Sequence, residues 1–147
     1  MYLGEANINH CDILFNWAND EEVRGNSFNK EKIKYEDHYK WFNNKLESKG
    51  SYIFIAYIED VPIGQIRLDL QENNGIISYS VSKDFRGKGY GEAIVRMLDS
   101  KIKEKSINVN KLIAYVKHDN IPSQKIFIKL NYTKKNNKDK IEYYKFL

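Results

Sequence analysis

The chain has 147 residues, 41% of them hydrophobic, which is enough for one packed domain and too few for two. Its net charge of +4 comes from 24 basic and 20 acidic residues, and the basic residues are spread along the sequence except for a cluster near the C-terminus that fits a solvated hairpin turn, so we expect no nucleic-acid partner. A single cysteine, Cys11, excludes an internal disulfide and a thiolate metal cluster. No apolar run is long enough to span a bilayer and the start lacks a secretory pattern, so the sequence predicts a cytoplasmic protein with neither a membrane partner nor a bound metal.

The first third of the chain predicts one strand and two helices. A strand is expected over residues 2–8, followed by a short helix that Asp12 caps and that ends at Ala18. Turn-forming residues around Gly25 then interrupt the helical pattern. Apolar residues next recur at helical spacing, which predicts an amphipathic helix over residues 35–49; they are Tyr35, Tyr39, Phe42 and Leu46.

The remainder alternates strands with two further helices. Residues 51–59, 63–70 and 76–81 are rich in β-branched and aromatic side chains and predict an antiparallel meander. A helix with its buried stripe at Ile94, Leu98 and Ile102 follows, and then a strand over residues 111–116. The sequence next predicts a helix that starts after Asn120 and two strands, over residues 132–135 and 141–146. The order of elements is that of an α+β domain.

The segment FRGKGYG, residues 85–91, carries three glycines at alternate positions directly before a helix. A strand, a glycine-rich loop and a helix N-terminus together expose backbone N–H groups at the positive end of the helix dipole, which suits a phosphate group. Arg86 and Lys88 add positive charge. The spacing fits neither the nucleoside-triphosphate loop nor the dinucleotide fingerprint.

Two motifs resemble those of the GCN5-related N-acetyltransferase (GNAT) superfamily. The loop from Arg86 to Gly91 is similar to the acetyl-coenzyme A (acetyl-CoA) loop of that superfamily, and HDNIPSQKIFIKLNY resembles its second signature. The resemblance covers nearly the whole chain. It implies a single GNAT domain over residues 1–147, with a twisted, mostly antiparallel sheet of about seven strands flanked by about four helices.

The resemblance also implies the co-substrate and its contacts. Acetyl-CoA would bind with its pyrophosphate on the loop amides and its pantetheine arm alongside the preceding strand. The residues so assigned are Val81, Arg86, Gly87, Lys88, Gly89, Tyr90, Gly91, Asn120 and Ser123. For Asn120, helix capping and coenzyme contact both stay open.

Acetyl transfer to an amine needs an uncharged nucleophile, a donor for the developing oxyanion and a proton for the departing thiolate. Many members of the superfamily place a tyrosine where this chain has Phe127, which cannot donate a proton. The candidates for the proton donor are Tyr132, Tyr79 and Tyr90. No Glu or Asp lies on the strand over residues 76–81, so the base is water or His38, and His38 and Tyr132 are the candidate catalytic residues. Each of these side chains could equally serve in packing.

The stretch WANDEEVRGNSFNKEKIKYEDHYKWF, residues 17–42, resembles the N-terminal region of acetyltransferases of the pseudaminic-acid type of pathway, which act on the 4-amino group of UDP-linked deoxyamino sugars. The acceptor is then a small-molecule amine, a nucleotide sugar, contacted by Arg24, Phe28, Trp41 and Tyr79. Acetyltransferases of ribosomal protein N-termini share part of the pattern, and there Glu21, Glu22 and Asp37 would line a peptide groove. A non-catalytic acetyl-CoA sensor is the third alternative, and the sequence leaves open a monomer or a homodimer.

Overall fold

The computed structural model describes every residue from Met1 to Leu147. The strands are β1 (Tyr2–Glu5), β2 (Ser51–Ile58), β3 (Val61–Gln71), β4 (Asn74–Val81), β5 (Lys111–Val116), β6 (Thr133–Asn136) and β7 (Ile141–Phe146). The helices are α1 (Cys11–Ala18), α2 (Glu21–Gly25), α3 (Tyr35–Glu47), α4 (Tyr90–Glu104) and α5 (Ile121–Lys129). Short 3-10 turns precede α1 and α4. None of the helices is long and apolar enough to cross a membrane.

The seven strands form one sheet in the order β1-β2-β3-β4-β5-β7-β6. Every neighbouring pair is antiparallel except β4 and β5, which run parallel. The predicted α+β class and mostly antiparallel sheet are therefore confirmed. There are five helices rather than about four.

The largest differences from the predicted elements lie in the first 30 residues. The first strand ends at Glu5, because Asn7 caps a 3-10 turn instead of continuing the strand. Asp12 lies inside the first turn of α1 and does not cap it, contrary to the prediction. The segment expected to be only a turn contains α2, which Asp20 caps by accepting hydrogen bonds from the amides of Glu22 and Val23 at 3.1 and 3.2 Å.

The core lies on both faces of the sheet because side chains alternate along the central strand β2. Phe54 and Ala56 belong to the larger cluster, together with residues of α4 and α5. Ile53 and Ile55 belong to a smaller cluster with residues of α1 and α3, including the fully buried Phe42. Helices thus cover both faces of the sheet.

The sheet opens between β4 and β5. The two strands pair only from Asn74–Ile76 to Lys111–Ile113, although β4 continues to Val81 and β5 to Val116. Beyond the last pair the strands diverge. Their unpaired edges face a gap directly before the glycine-rich loop. The candidate site lies at this gap.

Candidate active site

A cleft of about 1030 Å³ starts at the gap between β4 and β5 and extends across the sheet to α1, α2 and α3. Its lining includes most residues that the sequence analysis singled out: Arg24, Phe28, His38, Trp41, Tyr79, Val81, Arg86, Gly87, Gly89, Tyr90, Gly91, Asn120 and Ser123. Lys88 and Tyr132 are not in the lining. One elongated cleft thus joins the predicted coenzyme loop to the predicted acceptor region.

The glycine-rich loop has the backbone that an anion site requires. Gly87 and Gly89 have φ angles of +75° and +84°, a region that glycine enters without the steric cost paid by other residues. An added Cβ at either position would have no atom within 4 Å, so that space is open. Gly89 is the N-cap of α4 and provides no side-chain acceptor, which leaves the amides of the first turn available. The loop therefore fits the pyrophosphate of a coenzyme A molecule.

Gly91 lines the cleft and also has a packing role. Its φ angle is not positive, and a Cβ there would lie 3.0 Å from Cδ1 of Ile126 and 3.2 Å from Cε2 of Tyr79. The absence of a side chain thus lets α4 pack closely against β4 and α5. Lys88 is exposed, and its Nζ lies 5.8 Å from the centre of the Phe85 ring.

Arg86 is not the free cation that the sequence suggests. Its Nη2 and Nη1 atoms pair with Asp20 and Glu22 of the α2 N-terminus at 2.7 and 2.6 Å. Burial raises the pKa of the Asp20 carboxyl, but its hydrogen bonds with Arg86 and the α2 amides outweigh this and hold the pKa below its ordinary value. The ion pairs of Arg86 thus connect α2, on the acceptor side of the cleft, to the glycine-rich loop.

Val81 has a free amide beside the cleft, whereas its carbonyl is already hydrogen-bonded. The carbonyl accepts a hydrogen bond from Nε of Arg86 at 3.0 Å. The next amide, of Ser82, donates to Ile63 of β3, and successive residues direct their backbone groups to opposite sides of a strand. The N–H of Val81 therefore points toward the β5 side, where the gap lies. It is available to a pantetheine amide or to an oxyanion.

Asn120 and Ser123 lie at the N-terminus of α5. The side chain of Asn120 accepts a hydrogen bond from the Ser123 amide at 3.4 Å, so it caps the helix while lining the cleft. Ser123 is only 6% exposed, and its Oγ lies 2.9 Å from the hydroxyl of Tyr79 on β4. This contact bridges the strand and the helix.

The acceptor end combines aromatic side chains with one arginine that the sequence analysis missed. The guanidinium of Arg67, on β3, lies 5.0 Å from the centre of the Trp41 ring, and its Nε donates to Asp69 at 2.8 Å. Arg24, which we predicted to contact substrate, instead donates to three backbone carbonyls of its own loop, those of Ala18, Asn29 and Glu31. Arg24 thus holds the loop in shape. Phe28, which is 57% exposed, stands at the mouth of the cleft.

The family model of the acetyltransferase (GNAT) domain matches residues 2–133. This chain belongs to the GNAT acetyltransferase family. Membership confirms the predicted superfamily and the predicted class, acyltransferase.

Several known proteins resemble the chain over most of its length. The N-acetyltransferase 9-like protein of Nematostella vectensis is 30% identical over 129 residues, which are 84% of this chain and 56% of that relative. The chain therefore spans little more than half of that relative. A domain from Methanocaldococcus jannaschii has a TM-score of 0.83 at 21% identity, covering 99% of this chain and 97% of that one. Spermidine N-acetyltransferase from Vibrio cholerae, solved with CoA and spermine, has a TM-score of 0.86 at 14% identity, covering 99% and 94% of the two chains.

Tyr132, one of the two predicted catalytic residues, lies outside the cleft of this GNAT domain. Its ring packs on Phe127 with centroids 5.0 Å apart, and it lines a separate small cavity with Asp99 and Lys145. The turn after α5 directs the side chain toward α4 and β7 instead of toward the gap. A role as proton donor in the cleft is therefore not supported. Phe127 does line the cleft, as the motif predicts.

His38, the other predicted catalytic residue, lines the cleft but is only 3% exposed. Its ring packs among Phe15, Trp41 and Phe42, and Nε2 lies 3.1 Å from the carbonyl oxygen of Cys11. Because a carbonyl only accepts, Nε2 carries the proton, and Nδ1 is the nitrogen of the neutral ring that could act as a base. Burial lowers the pKa of His38, and the Cys11 carbonyl and the charge of Asp12 offset this only in part.

The lowered pKa of His38 predicts a loss of stability in mild acid. At pH values between the lowered pKa of the folded state and the ordinary histidine pKa of about 6.5, His38 is protonated in the unfolded chain but not in the folded chain. The free energy of unfolding should therefore fall as the pH drops from 7.5 to 5.5, and this fall should be smaller in His38→Gln. Urea unfolding at both pH values measures it, with the exposed His118→Gln as control. Equal falls in wild type and His38→Gln would contradict the assignment.

Proposed function

We propose that the chain is an acetyl-CoA-dependent N-acetyltransferase whose acceptor is a primary amine, the 4-amino group of a UDP-linked deoxyamino sugar. The observation that carries the proposal is the composition of the cleft. An anion-binding loop lies at one end, and an arginine stacked on an indole lies at the other, with no free carboxylate between them.

At the coenzyme end, acetyl-CoA would supply the activated acetyl group. The amides at Gly87, Gly89 and the start of α4 would hold its diphosphate, and the Val81 amide would orient the arm in the gap. Gly91 lets the first turn of α4 pack close to β4, so the glycine-rich loop keeps a fixed position relative to the gap.

At the acceptor end, Arg67 and Trp41 favour an anionic, aromatic partner. The Nη atoms of Arg67 make no hydrogen bond within the protein, and its side chain is 30% accessible. A guanidinium in this state can bind a phosphate oxygen pair, and an aromatic side chain offers a stacking surface for a base such as uracil. Both groups would lie beside the acceptor rather than the coenzyme.

The acidic residues of the cleft disfavour a cationic acceptor. Only Glu22 and Glu92 line it, and each is already ion-paired: Glu22 with Arg86, and Glu92 with Arg96 and Lys129. A polyamine, an aminoglycoside or a charged peptide N-terminus would find no unpaired carboxylate. Glu21 and Asp37, which a peptide groove would require, do not line the cleft.

The acceptor is tested by comparing initial rates of thiol release from acetyl-CoA. A UDP-4-amino-4,6-dideoxy sugar should be acetylated with a higher kcat/KM than peptides beginning with Ser or Ala, and higher than spermidine. A preference for the peptides would instead support the ribosomal-protein type of acceptor. Thiol release with none of the amines, together with tight coenzyme binding, would support the sensor.

Replacing Arg67 by alanine should raise the KM for the UDP-sugar by roughly 30-fold, because a hydrogen bond to a charged group contributes about 1.5–3 kcal/mol. The KM for acetyl-CoA should stay unchanged. Lys134→Ala, which removes an exposed cation on β6 away from the cleft, is the control and should change neither constant. If Arg67→Ala left the KM for the UDP-sugar unaltered, the acceptor would not contact this end of the cleft.

A further inference from the structure

We propose that Tyr79, positioned by Ser123, is the proton donor to the departing sulfur, in place of the hydroxyl that Phe127 lacks. This inference rests on the proposed acetyl transfer. It assigns the catalytic role to a residue of β4, whereas the position that is tyrosine in many members of the superfamily lies on α5.

Tyr79 lies where β4 has separated from β5. The last paired residue of β4 is Ile76, so Tyr79 belongs to the unpaired part of the strand that borders the gap. Its ring meets Phe127 edge-on with centroids 6.0 Å apart. The two rings are neighbours in the cleft lining, and Tyr79 therefore brings a hydroxyl to the part of the cleft where Phe127 provides none.

The hydroxyl of Tyr79 is held in place rather than free to rotate. It lies 2.9 Å from Oγ of Ser123, and Ser123 is itself fixed in the first turn of α5 by the Asn120 cap. The Tyr79 ring also packs close to Gly91 at the start of α4, since a Cβ at that position would lie only 3.2 Å from the ring. The ring and its hydroxyl are thus preorganised.

The other tyrosines have different surroundings. Tyr90 packs against Phe85 at the glycine-rich loop, with centroids 6.2 Å apart. Tyr115 lies beneath Lys140, whose Nζ is 4.1 Å from the ring centre. Tyr132 is outside the cleft. Tyr79 is therefore the tyrosine whose hydroxyl contacts α5 within the cleft.

The proton balance of the step is simple. The carbon–sulfur bond of the thioester breaks as the bond between the amine nitrogen and the acetyl carbon forms. Tyr79 gives its proton to the sulfur, Ser123 turns its own O–H toward the resulting phenolate, and the proton that the amine loses restores Tyr79. Burial raises the pKa of Tyr79, and the hydrogen bond with Ser123 offsets this rise only in part. The phenol therefore carries its proton when the carbon–sulfur bond begins to break.

Tyr79→Phe tests the role by removing only the hydroxyl. The kcat should fall about 100-fold, within the range of general acid catalysis, while the KM for acetyl-CoA changes less than about threefold. Tyr143→Phe is the control for loss of a tyrosine hydroxyl, because Tyr143 is fully buried on β7, outside the cleft, and its hydroxyl has no partner; it should keep the wild-type kcat. Tyr79→Phe with unchanged kcat would overturn the proposal.

A second measurement does not depend on turnover. A hydroxyl that donates to sulfur stabilises the thiolate, so the thiol of bound CoA should ionise at lower pH in wild type than in Tyr79→Phe, by about one unit in an ultraviolet titration of the thiolate. The double variant Tyr79→Phe/Ser123→Ala leaves no unpaired hydroxyl and should titrate like Tyr79→Phe. Identical titrations in wild type and both variants would refute the contact. An inactive wild type would count against the proposed acetyl transfer, and this titration would still decide the Tyr79 contact.

Discussion

Replacing Gly89 by valine is expected to raise the Kd for CoA by about 100-fold. Gly89 has a φ angle of +84°, which costs a non-glycine residue roughly 1–3 kcal/mol, and β-branching makes that conformation still less favourable. A side chain there would also occupy the open space in front of the α4 amides. Isothermal titration calorimetry with CoA measures the effect, and the KM for the acceptor should change far less.

Two variants separate the lost contact from general destabilisation. Gly89→Ala bears most of the backbone strain with the least bulk, so it should weaken CoA binding less than valine does. Gly50→Ala, which has no positive φ and meets nothing closer than 3.8 Å, should leave the Kd unchanged. Equal KM increases for CoA and acceptor in Gly89→Val would contradict a diphosphate site at this loop.

Replacing Gly64 by alanine should destabilise the fold by roughly 3 kcal/mol. Gly64, on β3, lies opposite Val81 in the register, and an added Cβ would be 2.5 Å from the backbone oxygen of Ser80 and 3.2 Å from Cα of Val81. Backbone atoms of a paired strand cannot rotate away, so β4 must shift, and such overpacking costs typically 1–3 kcal/mol or more. Urea unfolding measures the change against Gly50→Ala.

The displaced segment of β4 carries the Val81 amide and adjoins Tyr79. Gly64→Ala should therefore also weaken CoA binding, although Gly64 is not in the cleft lining. An alanine variant with wild-type stability and wild-type CoA affinity would show that the register between β3 and β4 tolerates the shift. The gap would then not depend on the exact path of β4.

Most of the fold could be predicted from local sequence patterns. The bounds of β5 and β7 agree with the prediction, because short segments rich in apolar and aromatic residues are flanked there by polar turns. Helix α2 was missed, since a five-residue helix has no apolar repeat and is identified mainly by its Asp20 cap. Pro62 was expected to precede its strand but lies inside β3, at a register irregularity that tolerates a missing amide.

The site was predicted less completely because it depends on which side chains meet across the fold. The spacing of Gly87 and Gly89 revealed the loop, since positive φ angles leave a direct signal in sequence. The sequence could not show that Arg24 is hydrogen-bonded to backbone carbonyls, or that Arg86 is ion-paired with carboxylates at the N-terminus of α2. Arg67 gave no signal either, because only the packing of β3 against α3 brings it over Trp41.

Tyr132 and Tyr79 show that distance along the chain does not predict which side chains lie in the cleft. Tyr132 follows the second signature closely in sequence, yet the chain turns it away from the cleft after α5. Tyr79 is distant from that signature in sequence, yet its hydroxyl reaches Ser123 across the gap. Proximity along the chain is therefore a poor guide to a proton donor when two elements converge on one site.

A crystal structure of the protein with bound CoA tests the central claim most directly. We expect the pyrophosphate within hydrogen-bond distance of the amides between Gly87 and Gly91, and the pantetheine arm in the gap between β4 and β5. Density for CoA at another surface, or a gap that stays closed to it at saturating CoA, would contradict the account.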